Sequence, residues 1–169
     1  LRAGEGFFYT CLWPDDAPAG LHGVGPLAHD PADPEPVDPF DALVIPGTYS
    51  EGFDRLAEHL RDAGRAVRLV GGPDWEAVPS MVPYAAAADV VVCTGFSSIA
   101  EAAVAGTPCV VYPFIDCQRG VAARIAARDV PGVRVVHTLA DAEAAALDPG
   151  EPPVVENGAG AVADALCSW

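Results

Sequence analysis

The stretch VVCTGFSSIAEAAVAGTPCVVYPF, residues 91–114, places two apolar runs on either side of a glycine turn and an alanine-rich segment. Both runs are rich in valine and carry no charge, which is typical of strands that are buried on both faces of a sheet. The segment between them, SSIAEAAVAG, is apolar apart from its two serines and Glu101, and it ends at Gly106, a common helix stop. The stretch therefore predicts a strand, a turn, a helix and a second strand that runs parallel to the first.

The same alternation of strands and helices extends over most of the chain. Further apolar strands are predicted at 42–46, 66–70, 89–93 and 133–136, with a short one near 76–78. Strands of this kind that alternate with helices are typical of a parallel sheet covered on both faces. We therefore expect an α/β fold, with a doubly wound, Rossmann-like parallel sheet of about six strands and helices on both faces.

Helices are expected between these strands. Ser50 is the candidate N-cap of the first helix, which has a regular apolar face and ends near Gly64. Asp116 is the candidate cap of the helix that follows residue 114. Only a brief helix is expected around Pro83, because proline lacks an N–H and is tolerated only in a first helical turn.

The first forty residues have a different composition. GFFYTCLW, residues 6–13, is a predicted strand, and because the first residue is Leu we interpret it as arriving from an earlier segment. Residues 25–39 are rich in proline and acids, which is typical of a linker. We therefore divide the chain into 1–40, an incoming strand and linker, and 41–169, the Rossmann-like domain.

The composition limits the class of protein. The chain has 169 residues, of which 51% are apolar, enough for one compact domain. It carries 9 basic and 24 acidic residues, a net charge of -15, and no lysine, so a nucleic-acid partner is not expected. Because salt screens repulsion between like charges, this composition suits a protein that stays soluble in concentrated salt. We expect a halophilic, acidic protein.

The cysteines and histidines do not predict a metal site. Five cysteines without a CxxC pair form no zinc or disulfide framework, and the four histidines are scattered. Cys11, Cys93 and Cys109 lie in apolar runs and are expected to be small buried side chains. No run is long enough to span a membrane, and no signal-peptide pattern is present. We expect a cytoplasmic protein without metal or cofactor.

Two of the predicted strand-to-helix turns combine glycine with hydroxyl residues. PGTYSEG contains Gly47 and Thr48, and TGFSSIAE contains Gly95, Ser97 and Ser98. Both turns follow strands that flank the switch point of a Rossmann sheet, where ligands bind. Free N–H groups and about half a positive charge at a helix N-terminus suit a phosphate or diphosphate. The structural alternative is that Gly95 only makes the turn and the serines only cap the helix.

Glu101 follows the second of these turns and is surrounded by apolar residues. A carboxylate there needs a partner, and it can accept hydrogen bonds from two ribose hydroxyls. The alternative is charge complementarity with the helix N-terminus. GxGxxG is absent, and so is GxxxxGK[ST], which disfavours a nicotinamide dehydrogenase and a P-loop ATPase.

The longer stretch MVPYAAAADVVVCTGFSSIAEAAVAGTPCVVYPFIDCQ resembles the C-terminal, donor-binding domain of GT-B fold glycosyltransferases. It is similar in particular to the family-28 lipid-II-forming N-acetylglucosaminyl transferases. The matching features are the short helix before ADVVVC, the G-x-S-S/T-x-x-E turn and helix, AGTPCVVYPF, and a D-x-Q at the start of the next helix. Weaker features extend the resemblance over nearly the whole chain.

This resemblance implies one half of a GT-B fold that binds a nucleoside-diphosphate sugar, usually UDP-linked, and needs no cofactor. The acceptor, and usually the catalytic base, come from an N-terminal domain or partner subunit, through which the membrane surface is reached. The chain is then a hexosyltransferase that is inactive without that partner. The resemblance places the nucleotide and diphosphate at Gly47, Thr48, Val78, Gly95, Phe96, Ser97, Ser98 and Glu101. It places the donor sugar at Asp116 and Gln118.

In that arrangement the Val78 backbone meets the base, Glu101 the ribose, and the two serines the diphosphate. The sequence departs from the family pattern at Phe96, where many relatives have a small residue, and at Thr94, where some have a histidine.

Two other functions are open. One is a nucleotide-sugar-binding subunit without chemistry of its own. The other, a nucleotide-sugar 2-epimerase, is less favoured because an Arg, Thr and Glu cluster is expected where this chain has PFIDCQ.

Overall fold

The architecture was determined as a computed structural model, which describes residues 7–10, 12–13, 17–47 and 51–167. The strands are β1 Phe7–Thr10, β2 Leu21–Val24, β3 Phe40–Ile45, β4 Val67–Leu69, β5 Ala88–Cys93, β6 Cys109–Val111 and β7 Val133–Val135. The helices are α1 Phe53–Asp62, α2 Val82–Ala86, α3 Phe96–Ala105, α4 Asp116–Arg128, α5 Leu139–Leu147 and α6 Ala159–Cys167. Among these helices none is long and apolar enough to cross a bilayer.

A five-stranded parallel sheet in the order β4-β3-β5-β6-β7 forms the centre of the fold. The order reverses between β3 and β5, which is therefore the switch point of a doubly wound sheet. Helices α1 and α5 cover one face, and α2, α3 and α4 cover the other. The predicted fold class, an α/β fold with a Rossmann-like parallel sheet, is confirmed.

Both faces of the central strands are buried, as their unbroken apolar sequences require. Leu43 and Val91 point to the side of α2, α3 and α4, whereas Val44 and Val92 point to the side of α1 and α5. All four side chains are fully buried. Their burial on both faces holds the carboxyl ends of β3 and β5 next to each other.

The strand predicted at 6–13 does not join this sheet. Its described part forms β1, which pairs in parallel with β2 as a separate two-stranded sheet. Strand β2 was not predicted, since LHGV lacks both a regular alternation and a continuous apolar run. The main sheet therefore has five strands, close to the expected six.

The short strand predicted near 76–78 is also wrong, because those residues have irregular backbone. At the outer side of β4, Val67 O accepts a hydrogen bond from Arg61 Nη2 (3.3 Å). Leu69 O accepts one from Gly72 N (3.0 Å) in a tight turn. These two carbonyl groups are occupied, so they are not available to accept hydrogen bonds from a further strand at this edge.

Both predicted N-caps differ from the structure. The N-cap of α1 is Gly52, and Ser50 lies outside the described residues. Gly52 has φ +85°, a left-handed backbone angle that favours glycine. The N-cap of α4 is Ile115, and Asp116 is the first helical residue. Ile115 has no side-chain acceptor and therefore cannot cap the amides of this helix end.

Candidate functional site

The turns after β3 and β5 lie against each other at the switch point. In the register of these strands Ile45 pairs with Cys93. Just beyond them Thr94 Oγ1 donates a hydrogen bond to Pro46 O (3.3 Å). Gly47 has φ +67°, and a Cβ added to it would lie 3.0 Å from Thr94 Oγ1. A glycine at this position therefore permits the close contact between the two turns.

Gln118 connects the start of α4 to the same point. Its Nε2 donates a hydrogen bond to Thr94 Oγ1 (3.3 Å). Its Oε1 accepts hydrogen bonds from Phe114 N (2.8 Å) and Ile115 N (3.1 Å). The side chain thus bonds amides at the entry of its own helix and holds that helix to the β5 turn. Among the described residues, one Nε2 hydrogen of this side chain has no acceptor and can bind a ligand.

Thr94 thus joins the turn after β3, the turn after β5 and the start of α4. This role was not predicted from the sequence, in which Thr94 was noted only as a departure from the family pattern. Its side chain is only 3% exposed, so its hydroxyl must be hydrogen-bonded inside the protein. The hydrogen bonds of Gln118 could have been predicted from the sequence, because a Gln at the third helical position commonly accepts hydrogen bonds from backbone amides just before the helix.

The N-terminus of α3 presents free donors. Its N-cap is Gly95, which has extended backbone and no side-chain cap. The first intrahelical hydrogen bond runs from Ile99 N to Gly95 O (3.2 Å). The amides of Phe96, Ser97 and Ser98 come before it and therefore have no partner within the helix. Within the described residues neither serine hydroxyl makes a hydrogen bond, so the structural alternative in which they cap α3 is wrong.

Glu101 lies in the second turn of α3 and is half-buried. Burial raises the pKa of its carboxyl group. The pKa of Cys93 is raised well above its usual value by its hydrogen bond with Cys109, by burial, and also by the Glu101 charge. In the part of the chain that the structure describes, no hydrogen bond or ion pair involves the Glu101 carboxylate. The group is therefore partly removed from water without a partner.

The remaining candidate residues lie in different surroundings. Asp116 is exposed and forms an ion pair with Arg119 (3.2 Å), whose guanidinium also donates to Phe114 O (3.3 Å). Val78 is half-buried in the irregular segment between β4 and α2. Thr48 lies outside the described residues. The structure thus brings Gly47, Gly95 and Gln118 together around Thr94, with the free α3 amides beside them.

This arrangement suits an anion with hydroxyl groups attached. The α3 amides and serine hydroxyls are hydrogen-bond donors, and the helix N-terminus adds a partial positive charge. Glu101, one turn further along, is an acceptor suited to hydroxyl groups. Over the residues described, no cluster of three metal-binding side chains is present.

No family model and no curated protein matches the sequence. Several solved structures resemble the fold, and two of them are named as glycosyltransferases. The glycotransferase of kitacinnamycin has a TM-score of 0.56 and 19% identity, over 79% of this chain and 42% of that protein. The spinosyn forosaminyltransferase SpnP has a TM-score of 0.52 and 18% identity, over 82% of this chain and 46% of that protein. The chain spans less than half the length of either, and at these identities the likeness establishes the fold.

Proposed function

We propose that this chain is the donor-binding half of a GT-B fold glycosyltransferase and that it binds a nucleoside-diphosphate sugar at the switch point between β3 and β5. The observation that carries the proposal is the half-buried Glu101 carboxylate, which has no bonded partner among the described residues and lies one turn beyond the free amides of α3. Two proteins named as glycosyltransferases share the fold, which supports the same conclusion.

In this proposal the amides of Phe96, Ser97 and Ser98, together with the serine hydroxyls, bind the diphosphate. Glu101 accepts hydrogen bonds from the ribose hydroxyls, which replaces the hydration that burial has removed. When the sugar leaves, the same donors stabilise the negative charge that develops on the departing nucleotide diphosphate. We further propose UDP as the nucleotide, with the base against the Val78 backbone.

The donor sugar is proposed to lie near the start of α4. Asp116 offers an exposed carboxylate to sugar hydroxyls, and Gln118 offers the one Nε2 hydrogen that the fold leaves free. Since Gln118 already bonds three groups of the protein, it contributes a single, fixed hydrogen bond. We further propose that the enzyme is a hexosyltransferase of the family-28 type.

The acceptor and the catalytic base are proposed to come from an N-terminal domain or a partner subunit, because both neighbours are more than twice as long as the part that matches. Transfer then requires that partner, which also provides any approach to a membrane surface. Location in the cytoplasm and adaptation to concentrated salt stay predictions from composition. If the partner adds no catalytic base, the chain is a nucleotide-sugar-binding subunit instead.

The test is calorimetric titration of the chain with UDP, UMP and uridine, followed by the variant Glu101→Gln. We expect UDP to bind more tightly than UMP, because the diphosphate uses the α3 amides. Loss of the charged hydrogen bonds to the ribose should weaken UDP binding by about 1–3 kcal/mol in the variant. The matched control is Glu58→Gln on the exposed side of α1, which should bind UDP as the unsubstituted chain does.

Equal affinity for UDP in Glu101→Gln and in the control would contradict the proposed role of Glu101. Absence of UDP binding by the folded chain would contradict the proposed function itself. A transfer assay in the presence and absence of an N-terminal domain then separates the half-enzyme from the binding subunit, since only the half-enzyme gains turnover.

A further inference from the structure

A cavity of about 540 Å³ lies along the outer edge of β4, beside the loop that follows this strand. Its lining includes Arg68, Trp75 and Tyr84, and none of the residues assigned above to the nucleotide sugar. The volume is within the usual range of sites for small molecules. The cavity is therefore distinct from the proposed nucleotide-sugar site, and its ligand must be inferred from its own lining.

Arg68 is the central feature of this cavity. Its guanidinium lies over the rings of Phe40 (4.7 Å) and Tyr84 (5.5 Å). The side chain is half-buried, and among the described residues it makes no hydrogen bond or ion pair. This is notable in a chain with 24 acidic and only 9 basic residues, where a carboxylate partner is abundant. Contact with the faces of aromatic rings does not use the N–H groups of a guanidinium as hydrogen-bond donors, so these groups can still bind an anion.

Two aromatic side chains form a wall beside Arg68. Trp75 and Tyr84 contact each other edge to face, with ring centroids 5.3 Å apart and an interplanar angle of 63°. Both rings line the cavity and pack against the buried core. A planar ring that entered the cavity would therefore contact a pair of rigid aromatic surfaces.

The charges around the opening restrict the ligand to a small negative charge. Asp74 and Glu76 also line the cavity and are exposed, and they repel a polyanion such as a diphosphate. Arg61, the other basic residue of the lining, already donates to Val67 O. Arg68 is the guanidinium that lies against the aromatic rings, and it can bind one carboxylate or sulfonate through paired hydrogen bonds.

We propose that this cavity binds a planar aromatic ring that carries a single acid group. The acid accepts hydrogen bonds from the edge of the Arg68 guanidinium, and the ring packs against Trp75 and Tyr84. This site is separate from the proposed nucleotide-sugar site and does not depend on it.

The experiment is calorimetric titration of the full chain with 1-naphthoate, and with 1-naphthamide as the neutral analogue. We expect saturable binding of 1-naphthoate at one site per chain and clearly weaker binding of the amide. Arg68→Gln should weaken 1-naphthoate binding by about tenfold to a hundredfold, the change expected for lost charge-assisted hydrogen bonds. The matched control is Arg55→Gln on the exposed side of α1, which removes the same charge outside the cavity and should bind normally.

Trp75→Leu is the second variant, because Arg68→Gln also removes ring contacts that stabilise the fold. It should weaken 1-naphthoate and 1-naphthamide alike, since both use the ring. Equal affinity for the acid and the amide in the unsubstituted chain would overturn the proposal, as would normal 1-naphthoate binding in a folded Arg68→Gln or Trp75→Leu variant. Parallel titration with UDP reports the other site, so failure of one proposal is seen independently of the other.

Discussion

At the scale of single residues, Glu101 connects stability with the proposed function, because its carboxylate loses hydration in the folded chain and gains no hydrogen bond from the described residues. A ligand whose hydroxyl groups donate hydrogen bonds to this carboxylate would offset the free energy lost by its desolvation. Groups whose pKa is perturbed by burial are common at functional sites for this reason. The unfavourable position of Glu101 is therefore understandable if the group acts in binding.

The first prediction concerns the pH dependence of stability. Burial raises the pKa of Glu101 above its usual 4.5, so between these two pKa values the folded chain retains a proton that the unfolded chain has lost. The contribution of this group to stability therefore falls as pH rises through that window. Glu101→Gln should raise the free energy of unfolding without ligand, and the gain should shrink as pH is lowered through the raised pKa toward the usual 4.5. Solvent screening of a half-exposed group keeps the gain small.

Urea denaturation at several pH values measures this difference. Glu58→Gln removes the same charge from an exposed helix position and provides the comparison. A gain that is equal for the two variants, or that grows as pH is lowered, would show that burial of Glu101 is not its cause.

The second prediction concerns the cysteines. Cys93 and Cys109 are buried with their Sγ atoms 3.5 Å apart, and the pKa of Cys93 is raised, so little thiolate forms there. Cys117 is exposed at the start of α4. Under native conditions iodoacetamide should modify Cys117 and leave the buried pair intact, whereas all three should react in urea. Mass spectrometry of digested samples identifies each site, and early native modification of Cys93 would contradict this account.

At the scale of elements, the site depends on how β3, β5 and α4 are joined. Thr94 and Gln118 form this joint through a few hydrogen bonds, whereas the strands themselves are held by burial of apolar side chains. The position of the α4 start relative to the free α3 amides should therefore be sensitive to these two polar residues.

The third prediction tests this joint by a double-mutant cycle. Gln118→Leu leaves the amides of Phe114 and Ile115 without their acceptor and should lower the free energy of unfolding by about 1–3 kcal/mol. Thr94→Val should cost about 1 kcal/mol, and the coupling energy between the two should be about 0.5–1 kcal/mol. Asp116→Asn, an exposed change in the same turn, should have little effect. Strict additivity of the two changes would contradict a direct joint between β5 and α4.

The elements that could be predicted from the sequence are those whose position is determined by the burial of apolar side chains alone. The runs of apolar residues in β3, β5 and β6 permit no other stable position than the centre of a parallel sheet. The glycine turns could be located for the same reason, because they separate such runs. The end of α3 at Gly106 was predicted correctly, but both N-caps were not, since Gly52 caps α1 with a left-handed backbone and without a side-chain hydrogen bond, so the usual Ser or Asp signal is absent.

The candidate site was only partly predictable for a related reason. The turns with their glycines and serines are local patterns, but the bonds of Thr94 to Pro46 and Gln118 join segments far apart in sequence. The same holds for the cavity at β4, where Arg68, Phe40 and Tyr84 come from three separate elements. No local pattern contains the information that these side chains meet.

At the scale of the whole molecule, the dominant feature is the net charge of -15. Three salt bridges are found between described residues, and each involves side chains that are at least partly exposed. Such pairs contribute little to stability. Most of the acidic residues therefore repel one another in the folded chain without local compensation, and the compact state is opposed by this repulsion.

The fourth prediction follows from this repulsion. Raising KCl from about 0.1 M to about 1 M shortens the screening length from about 10 Å to about 3 Å, so the repulsion within the folded chain is largely removed. The midpoint of thermal unfolding should rise over this range and change more slowly above it. Sucrose at equal osmolality provides the control, because it favours compact states without screening charge. A midpoint that is unchanged by KCl, or that rises equally in sucrose, would mean that charge repulsion is not what limits the stability of this fold.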